Sequence, residues 1–119
     1  MGIEAWPLTQ QVPFIPRTPK SFLELRETFA SVIAGAPDFQ HPFFVGYSID
    51  GAFKEVLSGI DFLHEQIAKD GQGHLLSEGT SLVHSSHNSF KCGDIKGGFK
   101  AIHAADRVFQ EIGRLAKQR

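Results

Sequence analysis

The fold class this sequence predicts is all-α: a four-helix bundle-like domain preceded by an extended, proline-rich arm. Three observations carry the prediction. Apolar residues recur at helical spacing in four separate segments. Stop and cap residues stand between those segments, with Gly35 and Pro37, Ser48, Gly71 and Gly93-Asp94 as the punctuation. Pro7, Pro13 and Pro16 exclude helix from residues 1–17, because each removes a backbone donor and pushes its preceding residue toward extended geometry.

The arm, residues 1–17, carries Trp6, Leu8, Val12, Phe14 and Ile15. Five large apolar residues are not the composition of a solvated tail, so the arm is expected to pack on the helices or on another subunit. Residues 18–119 form the helical domain. Thr18-Pro19 reads as a cap followed by proline at the first helical position, which starts a helix over 19–34. Its stripe is Phe22, Leu25, Phe29, Val32 and Ile33. The connection that follows holds Phe39, Phe43, Phe44 and Tyr47, too apolar for an ordinary loop, and is expected to cross the end of the bundle and plug it.

Ser48 caps the second helix, 49–69, whose stripe is Phe53, Val56, Leu57, Ile60, Leu63 and Ile67. The third, 75–91, is rich in Ser, Thr, Gly, His and Asn, all middling or poor helix formers, yet Leu75, Leu76, Leu82, Val83 and Phe90 share one face. The fourth, 95–117, is the longest: Ile95, Phe99, Ile102, Phe109, Ile112 and Ala116 align on one side. The helices are expected to alternate in direction along the chain. Gly51-Ala52-Phe53-Lys54 and Gly97-Gly98-Phe99-Lys100 echo each other, as two amphipathic helices that both begin with glycine will.

Composition narrows the function classes. The chain has 119 residues and 11 Phe against one Trp and one Tyr, so most of its aromatic rings lack a polar handle and belong in a core. The formal net charge of -1 argues against a nucleic-acid binder, which needs a basic field over phosphates. The charge is uneven: six acids face two lysines between Asp50 and Glu78, and six bases face three acids from Asp94 onward. Neighbouring helices of complementary sign explain it. Cys92, the sole cysteine, allows no intrachain disulfide and fits a cytoplasmic protein. Residues 1–10 lack the form of a secretory signal, no apolar run reaches the roughly 20 residues that span a bilayer, and no membrane association is expected.

Three groups of residues invite a site. His64 lies amid the apolar stripe of the second helix and Asp106 amid that of the fourth, so the two are expected to meet as a buried polar pair that fixes helix register. His84 and His87 stand three apart, as do His103 and Asp106, but ligands on different faces make no shared site, and neither metal nor cofactor is expected. Cys92 and the glycines after it lack the Gly-Lys-Ser/Thr ending of a phosphate loop.

The third group is the outward face of the third helix: Ser77, Thr80, Ser81, His84, Ser85 and Asn88. Solvated helix faces are usually rich in Lys, Glu and Arg. This one is small, polar and nearly uncharged up to Lys91, and interface centres are similarly depleted in Lys and Glu. The expectation is a small non-enzymatic protein that binds a protein partner or itself, most simply as a homodimer.

Around Leu82-Val83-His84-Ser85-Ser86-His87 the chain also resembles the phospho-accepting helix of histidine phosphotransfer domains, in which a solvent-facing His follows apolar residues. The resemblance covers about a dozen residues. That family typically has Lys three residues after the His, followed by a small residue; here those positions are His87 and Asn88. The resemblance implies a signalling module that uses His84 as an alternative function.

Overall fold

The computed structural model describes residues 18–39 and 48–117. Four helices follow one another: α1 Phe22–Gly35, α2 Ile49–Lys69, α3 Gly73–Lys91 and α4 Ile95–Lys117. The all-α reading holds. The expected arm, and Phe43, Phe44 and Tyr47 of the expected plug, lie outside the described residues. Phe39 is described, and it is buried in the core.

Local chemistry sets the limits. Ser48 caps α2 as expected, its hydroxyl accepting from the Gly51 N–H at 3.0 Å. Asp94 caps α4 likewise, accepting from the Gly97 N–H at 3.0 Å. Gly71 and Gly93 have φ of 81° and 86°, the left-handed region in which glycine carries no Cβ penalty, and each closes a helix.

The start of α1 differs from expectation. Its cap is Ser21, not Thr18, with the hydroxyl accepting from the Glu24 N–H at 3.1 Å. The Glu24 carboxylate reaches back to accept from the Lys20 N–H at 2.9 Å, a close relative of the reciprocal capping box. Pro19 is buried, and a Cβ built on Gly59 of α2 would stand 2.9–3.0 Å from the Pro19 ring. The chain thus seats its proline on α2 before turning into α1. Helix α3 begins at Gly73, two residues ahead of the expected start, because its first turn closes directly on the Gly71 reversal, with the Leu76 N–H donating to the Gln72 carbonyl at 3.0 Å.

Each helix packs on its neighbours in a closed ring, α1 on α2, α2 on α3, α3 on α4 and α4 back on α1, with the α3–α4 seam the most extensive. Phe29, Phe53 and Phe109 are fully buried among Leu25, Val32, Val56, Val83, Ile102 and Ile112. The rings meet in pairs: Phe29–Phe109 at 5.4 Å, Phe53–Phe90 at 6.1 Å and Phe90–Phe99 edge-on at 5.1 Å between centroids. Such pairs add about 0.5–1.5 kcal/mol each beyond the area they bury.

The α3–α4 seam is close because small residues face it. Gly79 lies under the Phe109 ring and Gly98 under Phe90, where a Cβ would come within 2.6 Å and 2.7 Å of ring carbons. Ser86 is fully buried and donates its hydroxyl to the Gly98 carbonyl at 2.7 Å, satisfying a hydroxyl that would otherwise be costly to bury.

Candidate functional site

The uncharged face of α3 stands where the sequence places it. Ser77, Ser81, His84, Ser85 and Asn88 are exposed, and Thr80 is half-buried, with its hydroxyl donating to the Leu76 carbonyl at 2.7 Å. The inner side of α3, through Leu76, Gly79, Val83, Ser86 and Phe90, is taken up by the core. The outward face is therefore left for solvent or for something else.

That face borders a solvent-open groove of about 780 Å³ between α2 and α3. Ser77, Thr80, Ser81 and His84 form its α3 wall, and Leu57, Ile60 and Leu76 supply apolar surface. Asp61 and His64 stand on the α2 side. Among the described residues Asp61 is the only Asp, Glu, Lys or Arg lining the groove. Leu57, Ile60 and Asp61 are residues that sequence reasoning did not place beside the α3 face. The spacing of Leu57, Asp61, His64 and Ala68 at helical intervals was the available signal, since it marks a second strip on α2 adjacent to the core stripe.

The expected His64–Asp106 pair does not form. His64 is exposed at the α2–α3 groove. Asp106 is on the α1 side of α4, where its carboxylate accepts from Gln110 Nε2 at 3.0 Å and lies 3.8 Å from Arg26 Nε. The reason is rotational. Ala52 and Gly59 are buried on α2 and Gly98, Ala101 and Ala105 on α4, so both helices are turned toward their small residues and away from His64 and Asp106.

His87 is the histidine with a structural role. Its ring stacks on Phe53 at 4.6 Å with planes 10° apart, and its Nε2 is 2.7 Å from Asp50 Oδ1. This contact joins the C-terminal part of α3 to the first turn of α2. The hydrogen bond to His87, assisted by the charge of Lys91, holds the Asp50 carboxyl below the ordinary Asp range. An acid depressed by folding stabilises the fold above its unfolded value, and that contribution is lost as the pH falls through the folded value. Asp50→Ala should therefore lower stability at neutral pH and flatten the acid limb of the stability curve below about pH 4. Urea midpoints taken from about pH 7 down to about pH 2 check this. Parallel curves for the two proteins would contradict it.

Among the described residues no three His, Cys, Asp or Glu side chains come together as a metal site. No described helix is long and apolar enough to cross a membrane. Cys92 is exposed in the turn after α3. Comparison of the chain with family models, curated proteins and solved structures gives no match.

Proposed function

We propose that this protein works by protein–protein association through the outward face of α3 and the groove beside it, most simply with a second copy of itself, and that it is not an enzyme. The observation that supports this most is the chemistry of the face. Ser77, Thr80, Ser81, His84, Ser85 and Asn88 present several helical turns to the outside without a Lys, Arg, Asp or Glu among them.

Two-fold association sets each surface against its own copy, so any net charge on the patch opposes itself. A patch of small neutral side chains has no such penalty. It also lets two backbones approach closely, and the neighbouring apolar strip of Leu57, Ile60 and Leu76 gains from losing water. Helix α3 has 19 residues, hence about 28 Å of length, enough for one partner of a standard-sized interface of roughly 800 Å² per side.

Sedimentation at several protein concentrations tests the proposal. A species near twice 13.1 kDa is expected. Glu at both Ser81 and Ser85 places four carboxylates across the two-fold and should weaken the association by about tenfold or more. A protein that stays monomeric at high concentration, or a dimer indifferent to those substitutions, would overturn it.

A phosphoryl-accepting His84 is the alternative reading, favoured by the exposure of that side chain. Against it, the third residue after His84 is His87, which is committed to Asp50 and Phe53 across the α2–α3 seam. Intact-mass measurement after incubation with a small phosphodonor, on the protein and on His84→Ala, separates the two readings.

A further inference from the structure

We propose that the α1–α4 seam, on the opposite side of the ring from the α2–α3 groove, is a second docking site whose occupant is an acidic amphipathic helix of another protein. A groove of about 730 Å³ runs between the first turns of α1 and the last three turns of α4. Its lining divides into two chemistries. Phe22 and Leu23 supply apolar surface over the buried Phe109 ring, and Leu23 is 69% exposed, the most exposed large hydrophobic side chain of the described residues. Among the described lining residues Arg26, Arg107, Arg114 and Lys117 bring four cations against the carboxylate of Glu111, a balance of +3 in a chain whose formal net charge is -1.

Local pairing does not consume that charge. Arg114 donates from Nε to Glu111 Oε1 at 2.8 Å and from Nη2 to Oε2, which pairs those two with each other. Arg26, itself half-exposed, stands 3.8 Å from Asp106, a separation at which a pair open to water on one side gains little. Arg107 and Lys117 form no ion pair among the described residues. Two cations with no ion-pair partner among the described residues thus border an apolar strip with an exposed leucine.

A phosphate or a nucleic-acid backbone would answer the cations and leave Leu23 and Phe22 in water. An uncharged apolar partner would cover the strip and leave Arg107 and Lys117 unpaired at its edge. An amphipathic helix with leucines or aromatics on one face and carboxylates beside them answers both. The furrow between two packed helices is the shape into which a third helix lays its apolar ridge. From Arg107 to Lys117 the α4 wall is about 15 Å long, which sets the contact at roughly three turns.

The probe is a fluorescein-labelled helical peptide of about 15 residues, with Leu at i, i+3, i+4 and i+7 and Glu on the rest of its surface, titrated with the full chain and followed by anisotropy. A counterpart with Lys for every Glu is the control. The Glu peptide should bind and the Lys peptide should not, and raising the salt should weaken the binding. Arg107→Glu with Lys117→Glu should lower the affinity about tenfold, and Leu23→Ser should lower it by several-fold. These three side chains are exposed, and circular dichroism of each variant verifies the fold.

The Ser81→Glu, Ser85→Glu variant, which addresses the opposite face, should bind the Glu peptide as the unaltered protein does. This separates failure of the docking site from failure of self-association. Absence of Glu-peptide binding at millimolar protein, equal binding of both peptides, or binding unaffected by the Arg107 and Lys117 reversals would overturn the proposal. So would loss of self-association in the charge-reversed variant, since the groove would then be an interface between copies.

Discussion

Phe109→Ala is expected to destabilise the protein by about 3–5 kcal/mol, a large share of the 5–15 kcal/mol that holds a typical domain folded. Phe109 is fully buried, and it is the residue on which three helices converge. It packs on Phe29 of α1 at 5.4 Å between centroids, lies over Gly79 of α3, and also floors the α1–α4 groove. Truncating it removes the transfer free energy of a benzyl group and leaves a void. The void closes poorly, because glycine is the residue facing it and has no side chain to move in. Adding a methyl at Gly79 alone should be harmful, since the new Cβ would stand 2.6 Å from Phe109 Cε2. In the Phe109→Ala background the same methyl has room. The two substitutions should therefore couple favourably by about 1 kcal/mol, measured as a double-mutant cycle in urea. A loss below about 1 kcal/mol for Phe109→Ala, outside the range of aromatic core truncations, would show that the ring is not the keystone described.

Gly98→Val carries the second large effect, about 3 kcal/mol of destabilisation. The new Cβ would lie 2.7 Å from two carbons of the Phe90 ring and 2.8 Å from a third. Phe90 cannot swing away freely, because it rests between Phe53 at 6.1 Å and Phe99 at 5.1 Å. The helices must separate instead. Separation stretches the 2.7 Å hydrogen bond from Ser86 to the Gly98 carbonyl, at a site fully closed to water. Gly98→Ala meets the same ring but gains about 1 kcal/mol of helix propensity, so it should lose less than the valine variant. Urea unfolding of both, followed at the helical band, checks the order. A valine variant as stable as the parent would mean that α3 and α4 are farther apart than the seam requires.

The helices themselves were legible in the sequence, and the rotations of the helices were not. Caps and stops are local chemistry: Ser48, Gly71, Gly93 and Asp94 act through their own backbone and one turn of helix, so they can be read without knowing the fold. Ser21 was missed because Thr18-Pro19 satisfies the same rule three residues earlier, and only the seating of Pro19 on Gly59 decides between them. Rotation depends on which residues touch across a seam. Counting large apolar side chains places Ile60, His64 and Ile67 near the centre of α2, but close approaches are made by Gly59, Gly79, Ser86 and Gly98, which weigh little or nothing on a hydrophobic scale. That is why His64 faces a groove and Asp106 faces Arg26. The outward side of α3 could be told from its inner side because the large apolar residues Leu76, Val83 and Phe90 all lie on the inner one.

The ring of helices has one seam unlike the rest. Short turns bring α2 to α3 and α3 to α4, and residues 36–48 bring α1 to α2, so three seams join segments adjacent along the chain. The fourth joins α1 to α4 across everything from residue 36 to residue 94. Loop-closure entropy rises by about 0.6 kcal/mol for each doubling of the intervening length, so this seam is the dearest to close. It is also less extensively packed than the α3–α4 seam. A helix seated there would touch both ends of the folded chain at once and act as a clasp on the ring, drawing the whole bundle toward its closed form by mass action.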